Sequence, residues 1–473
     1  MRLHHSFTFD NKNHDWPQIY VIIAASLTAF TTAAMFSWSA PSIPILTSNS
    51  SHIEPMTLEQ ASYFPVISPI VTIIASPVIA FLMDKLGRKY TITIISIPQI
   101  AFWLLVAIAK TITVLYISRV LSGLSDAIVF CVVPAYIGEI SSPRVRGSWG
   151  NLIIISLFLS QFVINVVGVY LDIPTTAYIF ILVPIIQIIL WVFVPESPYF
   201  LITKNRHEDA KRSLKFLRWN EDIEKEYNVL VKDVSRQMSE PGGIKDLFVI
   251  ATNRKSLLIS TMMRTCQQFT GITAFAVYTP YIFLLVGGNI SASSSSIIYT
   301  GILFAMASVC SFVVDKFGRR LLLIFSSIGV TIALFVEAIY FYLMLETNIN
   351  MSNFNWVPLA GMMLFIITCT SGLGILPTLM LSELFSASIK SKAVCVVNMC
   401  FGVCIIVTSK LFQALSSSCG IHVPFAVFGV CTFFSSILSY LYVPETKGKS
   451  LEEIQQMLTK EKFVKQDSET QKT

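Results

Sequence analysis

Apolar stretches of about 20 residues alternate with short polar turns along nearly the whole chain, each long enough to cross a hydrocarbon layer of roughly 30 Å as a helix. Twelve occur, at 19–40, 61–82, 91–109, 112–138, 148–170, 177–194, 256–285, 293–314, 321–344, 357–380, 393–414 and 423–443. They predict an all-α membrane protein with twelve transmembrane helices. Between the sixth and seventh lies a polar insert in which Leu214, Leu217, Tyr227, Leu230 and Val234 recur at helical intervals among charges, the pattern of short amphipathic helices lying on a membrane face. The expected division is a tail (1–18), a six-helix bundle (19–194), the insert (195–255), a second six-helix bundle (256–443) and a tail (444–473).

The bundles repeat one another. Asp84-Lys85-Leu86-Gly87-Arg88-Lys89 returns 231 residues later as Asp315-Lys316-Phe317-Gly318-Arg319-Arg320, Glu139 returns at Glu383, and Pro195-Glu196 returns at Pro444-Glu445. Internal repetition of this kind is common among secondary transporters.

Composition and charge sharpen the topology. The chain is 54% hydrophobic and 13% charged, with mean hydropathy +0.67, which excludes an ordinary soluble fold. With the N-terminus inside, 30 of the 34 Lys and Arg residues fall in segments on the cytoplasmic side, leaving only Lys110, Arg119, Arg264 and Lys410. Both tails are then cytoplasmic. The three Asn-x-Ser/Thr sequons, at Asn49, Asn289 and Asn350, all fall in outer loops and are expected glycosylation sites. The net charge of +6 therefore reflects topology, and no nucleic-acid partner is expected. Eight of nine cysteines lie within predicted spans, with only Cys419 outside, so neither a disulfide framework nor a metal site follows. The tail histidines His4, His5 and His14 read as solvated residues. No nucleotide-binding loop is present and nothing points to covalent catalysis, so neither an enzyme nor a cofactor is expected.

The charges beside the repeated turns suggest a gate. Arg88 and Lys89 can pair with Glu139 or Glu196, and Arg319 and Arg320 with Glu383 or Glu445, latching the inner side shut. Charge inside the membrane is costly and marks function. The fourth span carries Arg119 and Asp126 and the seventh Arg264; helical rise puts Asp126 and Arg264 at similar depth, so they are expected to neutralise each other across a central cavity. Glu337 and Lys410 lie toward outer helix ends and are expected to snorkel. In the seventh span Arg264, Gln268, Gly271, Phe275 and Tyr278 recur on one helical face beside Gln267, a polar and aromatic surface suited to neutral hydroxylated cargo.

Taken together, Asp84 to Lys89, Pro134-Ala135-Tyr136-Ile137-Gly138-Glu139, Arg144-Val145-Arg146-Gly147, Pro195-Glu196-Ser197-Pro198, Gln267-Gln268-Phe269-Thr270-Gly271-Ile272, Asp315 to Arg320 and Pro444-Glu445-Thr446-Lys447-Gly448 resemble the sugar porter family of the major facilitator superfamily. Trp38-Ser39-Ala40-Pro41 and Tyr278-Thr279-Pro280 look most like its insect branch of facilitated trehalose transporters. The resemblance implies the major facilitator fold, a location in the plasma membrane, Gln161, Gln267 and Gln268 as sugar ligands, and Thr273, Tyr278 and Thr378 beside them. It also implies that Arg146 belongs with the gate. Thr273 stands where the family has an asparagine, and Ile375 and Thr378 where it has proline and tryptophan.

Residues 19–53 hold no acidic side chain of the kind that proton-driven relatives place in the first span, which favours passive facilitation of a mono- or disaccharide such as a hexose or trehalose. Asp126 keeps a proton symporter open, and the altered Thr378 position keeps open a sensor that binds sugar without moving it. The expected partners are a small sugar and the lipid bilayer; oligomeric state is not addressed.

Overall fold

The computed structural model describes residues 14–48, 53–239, 243–286, 292–313, 317–347, 349, 351–385, 387–447, 453–454 and 457. The predicted sequons at Asn49, Asn289 and Asn350, the histidines His4 and His5, and Asp315 and Lys316 lie outside them. Among the described residues the secondary structure is helical and without strands. Among the described residues eleven helical segments are long and apolar enough to cross a membrane: Trp16–Leu46, Glu59–Leu86, Arg88–Ile108, Ile112–Ile140, Leu152–Tyr170, Ile173–Val192, Ser294–Ser311, Arg319–Glu346, Val357–Leu381, Lys392–Cys419 and His422–Tyr442.

The expected seventh span is the exception, because it is two helices. Ala251–Gln268 ends at the amide pair and Ile272–Val286 begins beyond it. Gly271 makes the break, with φ +81°, a left-handed conformation that side chains rarely adopt. A Cβ there would also lie 2.6 Å from the Phe428 ring, so backbone and packing both require glycine. The continuous face from Arg264 to Tyr278 expected from the sequence is therefore interrupted after Gln268. Periodicity cannot register such a break, since both halves keep a helical repeat.

Other spans divide too, the third at Ile95 into Arg88–Ile94 and Ser96–Ile108 and the sixth at Ile181 into Ile173–Phe180 and Leu182–Val192. The first divides at Trp38 into Trp16–Ser37 and Ser39–Leu46, and the tenth at Gly372 to Gly374 into Val357–Ser371 and Leu376–Leu384. In the tenth, a Cβ on Gly372 would meet the ninth span at Ser326 Cβ, 2.5 Å away. Trp38, Ile95 and Ile181 keep right-handed helical dihedrals, whereas at Gly271 and Gly372 the backbone leaves the helix, which at membrane depth is tolerated only where protein or a cavity surrounds it.

The outer surface is apolar, as a lipid-facing surface must be. Ile74 is 70% exposed and Ile97 68%, and Phe81, Leu284 and Phe325 also face outward. In the second half, Phe275 gathers Phe365, Phe412, Phe425 and Phe428, with the Phe425 ring stacked on it at 5.0 Å. The insert forms Pro198–Thr203, His207–Arg218, Glu224–Ser239 and Asp246–Val249. Leu214, Tyr227 and Val234 pack with Leu201, Ile202, Ala210 and Ile223 into a small core of their own, and Leu230 lies against it. Leu217 instead joins the core of the first bundle.

Candidate functional site

At the end of the molecule carrying the Gly87 and Gly318 turns, the two halves build the same ion-pair unit twice. Arg88 donates from Nε (3.1 Å) and Nη2 (2.9 Å) to Glu139 Oε1, while the Ser197 hydroxyl donates to the other carboxylate oxygen. In the second half Arg319 Nη2 donates to Glu383 Oε1 at 3.3 Å, and the Thr446 hydroxyl donates to Oε2. Glu196 accepts from the backbone N–H groups of Arg88 (3.0 Å), Lys89 (3.1 Å) and Ser197 (2.9 Å). Glu445 does the same for Arg319 (2.9 Å), Arg320 (3.2 Å) and Lys447 (3.0 Å). Each carboxylate thereby caps the N-terminus of the third or ninth span, whose first N–H groups have no partner within the helix. Gly87 has φ +98°, and a Cβ on it would lie 2.3 Å from Glu196 Oε2, so the turn must be glycine for the carboxylate to sit there.

The surroundings shift the two caps in opposite directions. Burial pushes the Glu196 carboxyl above its usual range despite its three backbone bonds. For Glu445 burial pulls the same way, but the Lys447, Arg319 and Arg320 N–H groups outweigh it and hold the carboxyl below that range.

The pairs join the residues expected from the sequence, with a different consequence. Arg88, Glu139, Glu196 and Ser197 all belong to the first half; Arg319, Glu383, Glu445 and Thr446 all belong to the second. Each unit ties helices within its own bundle, so it cannot by itself latch one bundle to the other. Arg146 joins neither unit: it is exposed, and the charge it acts on is that of Lys390. The only sequence signal for the roles of Ser197 and Thr446 is that a hydroxyl follows the Pro-Glu pair in both repeats.

Contacts between the halves lie elsewhere. Asn151 Nδ2 donates to the Ser311 carbonyl at 2.7 Å, and the Phe162 and Phe304 rings stack at 6.4 Å. At the opposite end Lys410 of the eleventh span donates to Ser62 Oγ at 2.8 Å, its ammonium 3.7 Å from the centre of the Tyr63 ring. This lysine does not snorkel away from the protein; it bridges the halves.

Buried charge in the spans also departs from expectation. Arg119 donates from Nη1 to the Met35 carbonyl at 2.7 Å and lies over the rings of Trp38, Phe64 and Phe102 at 5.0, 5.3 and 5.7 Å. Asp126, 8% exposed, has Arg119 as its charged neighbour. Arg264 makes no pair with Asp126. It donates from Nη1 to Gln267 Oε1 (3.0 Å) and from Nη2 to Asn398 Oδ1 (3.4 Å), over the Phe401 ring at 4.2 Å. Similar depth along two helices is insufficient for pairing, because the two side chains meet different neighbours. Glu337 is fully buried, both oxygens lacking a hydrogen-bond partner, in space left by the missing side chain of Gly361.

The amides expected to meet cargo sit at the break of the seventh span. Gln267 Nε2 donates to the Gly374 carbonyl at 2.8 Å, joining the breaks of the seventh and tenth spans. The Thr273 hydroxyl donates to Gln268 Oε1 at 2.8 Å, closing a loop across Gly271. Tyr278 stacks on Phe412 at 5.1 Å with its hydroxyl unpartnered, Gln161 is half-buried on the fifth span, and Thr378 is exposed at the start of the second tenth-span helix. Gln267, Gln268 and Thr273 therefore gather around broken helices, the arrangement by which secondary transporters form substrate sites near the membrane midplane, while no side-chain hydrogen bond joins Gln161 or Thr378 to them among the described residues.

Residues 15–458 match the family model described as sugar (and other) transporter. The chain belongs to this family. It is a family of carriers, not of enzymes. The chain is 30% identical over 452 residues to the facilitated trehalose transporter Tret1 of Polypedilum vanderplanki, covering 95% of this chain and 89% of that protein. It is also 30% identical over 454 residues to Tret1 of Bombyx mori, covering 94% and 87%. Against Tret1 of Drosophila willistoni it is 29% identical over 452 residues, 95% of this chain, but spans only 52% of that protein's length. Among solved structures, the proton:xylose symporter XylE bound to 6-bromo-6-deoxy-D-glucose superposes with a TM-score of 0.75 at 19% identity, covering 94% of this chain and all of that one. That likeness shows the major facilitator fold, and the broken seventh span supplies the twelfth membrane crossing.

Proposed function

We infer that this family member is a facilitative carrier that moves a mono- or disaccharide, a hexose or trehalose, down its gradient by alternating access. The observation that carries the reading is the polar cluster at two joined helix breaks: Gln267 bridges the seventh and tenth spans, Gln268 and Thr273 flank Gly271, and Tyr278 presents an unpartnered hydroxyl. Amides and ring faces in this setting suit the hydroxyls and C–H patches of a sugar. Facilitation rather than proton coupling is supported by the first span, Trp16–Leu46, which holds no acidic residue.

In the cell this reading places the chain in the plasma membrane with both tails, the insert and the two ion-pair units on the cytoplasmic side, in keeping with the distribution of Lys and Arg. Asn49, Asn289 and Asn350 then face outward. Each ion-pair unit stiffens one bundle, so the halves rock as bodies about the cargo.

The test is counterflow of labelled trehalose and glucose in proteoliposomes, with and without a pH gradient. Counterflow independent of the gradient is expected. Uptake that requires the gradient and is lost in Asp126→Asn would make the protein a symporter, and saturable binding without flux would make it a sensor.

A further inference from the structure

Arg264 is the charge this reading leaves unused. It lies in the helix that ends at Gln268 and is only 6% exposed, yet all its partners are neutral: the Gln267 and Asn398 oxygens and the face of Phe401. Its Nε has no partner, and no described carboxylate acts on it. The other buried arginines, Arg88 and Arg119, have Glu139 and Asp126 as charged neighbours. A guanidinium taken out of water without a counter-charge is expensive, and such groups inside a membrane mark the path of a charged species.

The surroundings favour an anion there. Through Gln267 the arginine is joined to the Gly374 carbonyl, and so to the break from which Leu376–Leu384 starts; Ile272–Val286 starts from the other break, four residues beyond Gln268. The half-helix Leu376–Leu384 therefore begins close to the amide that holds this buried cation, and helix N-termini carry partial positive charge. The hydroxyl-binding groups at this level are those already assigned to a sugar, so the present inference rests on that reading.

We propose that Arg264 is the counter-ion for a negatively charged cargo, and that the substrate class includes monosaccharide acids, a hydroxylated ring bearing one carboxylate. The guanidinium fork holds the carboxylate, exchanging its neutral acceptors for a charged one, and the Gln267, Gln268 and Tyr278 groups meet the hydroxyls. A planar carboxylate is the natural partner of that fork. One negative charge then crosses with each molecule of acid.

The experiment uses the full chain in proteoliposomes and measures counterflow of labelled D-glucuronate and labelled D-glucose. In the wild type, glucuronate exchanges, and its net uptake accelerates under an inside-positive potassium diffusion potential while glucose uptake does not respond. Arg264→Gln lowers the ratio of glucuronate flux to glucose flux roughly tenfold or more, whatever it does to glucose flux itself, and Arg264→Lys recovers part of that ratio. A measurement on the wild type alone guards against a misfolded variant: glucuronate should inhibit glucose counterflow at a concentration at least about tenfold lower than its neutral methyl ester does. Glucose flux without glucuronate flux, an ester as potent as the acid, or an Arg264→Gln protein that keeps the wild-type flux ratio overturns the proposal and leaves sugar facilitation standing. Glucuronate flux without glucose flux sustains the proposal and removes neutral sugars as cargo. Flux of neither overturns both.

Discussion

Lys410 and Ser62 stand 348 residues apart and meet at 2.8 Å, joining the eleventh span of one half to the start of the second span in the other. With the Tyr63 ring 3.7 Å below the ammonium, the contact combines a hydrogen bond and a cation–π interaction, together worth about 1 kcal/mol at a partly exposed site. It lies at the end remote from the basic turns, so it favours the state in which that end is closed. Lys410→Met is expected to shift the two-state balance toward opening there by roughly fivefold. Labelling of an introduced cysteine at that end by an impermeant maleimide should speed up accordingly; an unchanged rate shows that Lys410 does not hold the end shut.

The two ion-pair units should differ in weight. Arg88 meets Glu139 at 2.9 Å with side chains 9% and 16% exposed, whereas Arg319 meets Glu383 at 3.3 Å with 11% and 25%. Removing one partner of a well-buried pair strands the other, at a cost of about 3 kcal/mol. Glu139→Ala is therefore expected to lose about that much and Glu383→Ala about half, read as thermal unfolding in detergent. Equal losses would mean the repeats are energetically alike despite their geometry.

Glu196 and Glu445 give a pH dependence of opposite sign. The folded-state pKa of Glu445 is depressed, so its contribution is present above the unfolded value of about 4.3 and is lost as pH falls through the lower folded value. The folded-state pKa of Glu196 is raised, so ionising it works against the fold as pH climbs through that higher value. At neutral pH, Glu445→Gln should melt below the wild type and Glu196→Gln at or above it, with both differences shrinking in acid. Melting curves across pH in the same detergent would show it, and parallel curves for the two variants would contradict it.

Glu337 should be better replaced than kept, as far as stability goes. Its oxygens are without a hydrogen-bond partner, and the Met362 N–H is the polar group that acts on it. Glu337→Gln keeps the shape and adds a donor, and is expected to raise the melting temperature by a few degrees, since an unpartnered buried carboxylate costs more than an amide. Gly361→Ala should do the reverse, because a Cβ there would lie 2.3 Å from Glu337 Oε1. A destabilised Glu337→Gln would reveal that the carboxylate has a role the static structure does not contain.

Much of this molecule was legible in its sequence because a bilayer imposes few rules. Long apolar stretches set the spans, and repeated Gly-Arg turns set the symmetry. Arg88 with Glu139 and Arg319 with Glu383 were foreseeable because a basic turn and an acidic helix end recur at matching places. What escaped were features in which one residue decides. The Gly271 break is invisible to periodicity, and Lys410 and Glu337 read as helix-end charges because a single span does not disclose its neighbour. Asn398 and Phe401 carry no signal marking them as partners of Arg264, since an amide and a ring in an apolar helix are unremarkable until the seventh span is laid against the eleventh.

The closure of each ion-pair unit upon its own bundle has a genetic corollary. Because neither unit reaches across the midline, the covalent connection through 195–255 is chiefly a tether. Two open reading frames, one stopping within Gly243 to Lys245 and the other starting there, should yield fragments that find each other in the bilayer and rebuild a working carrier.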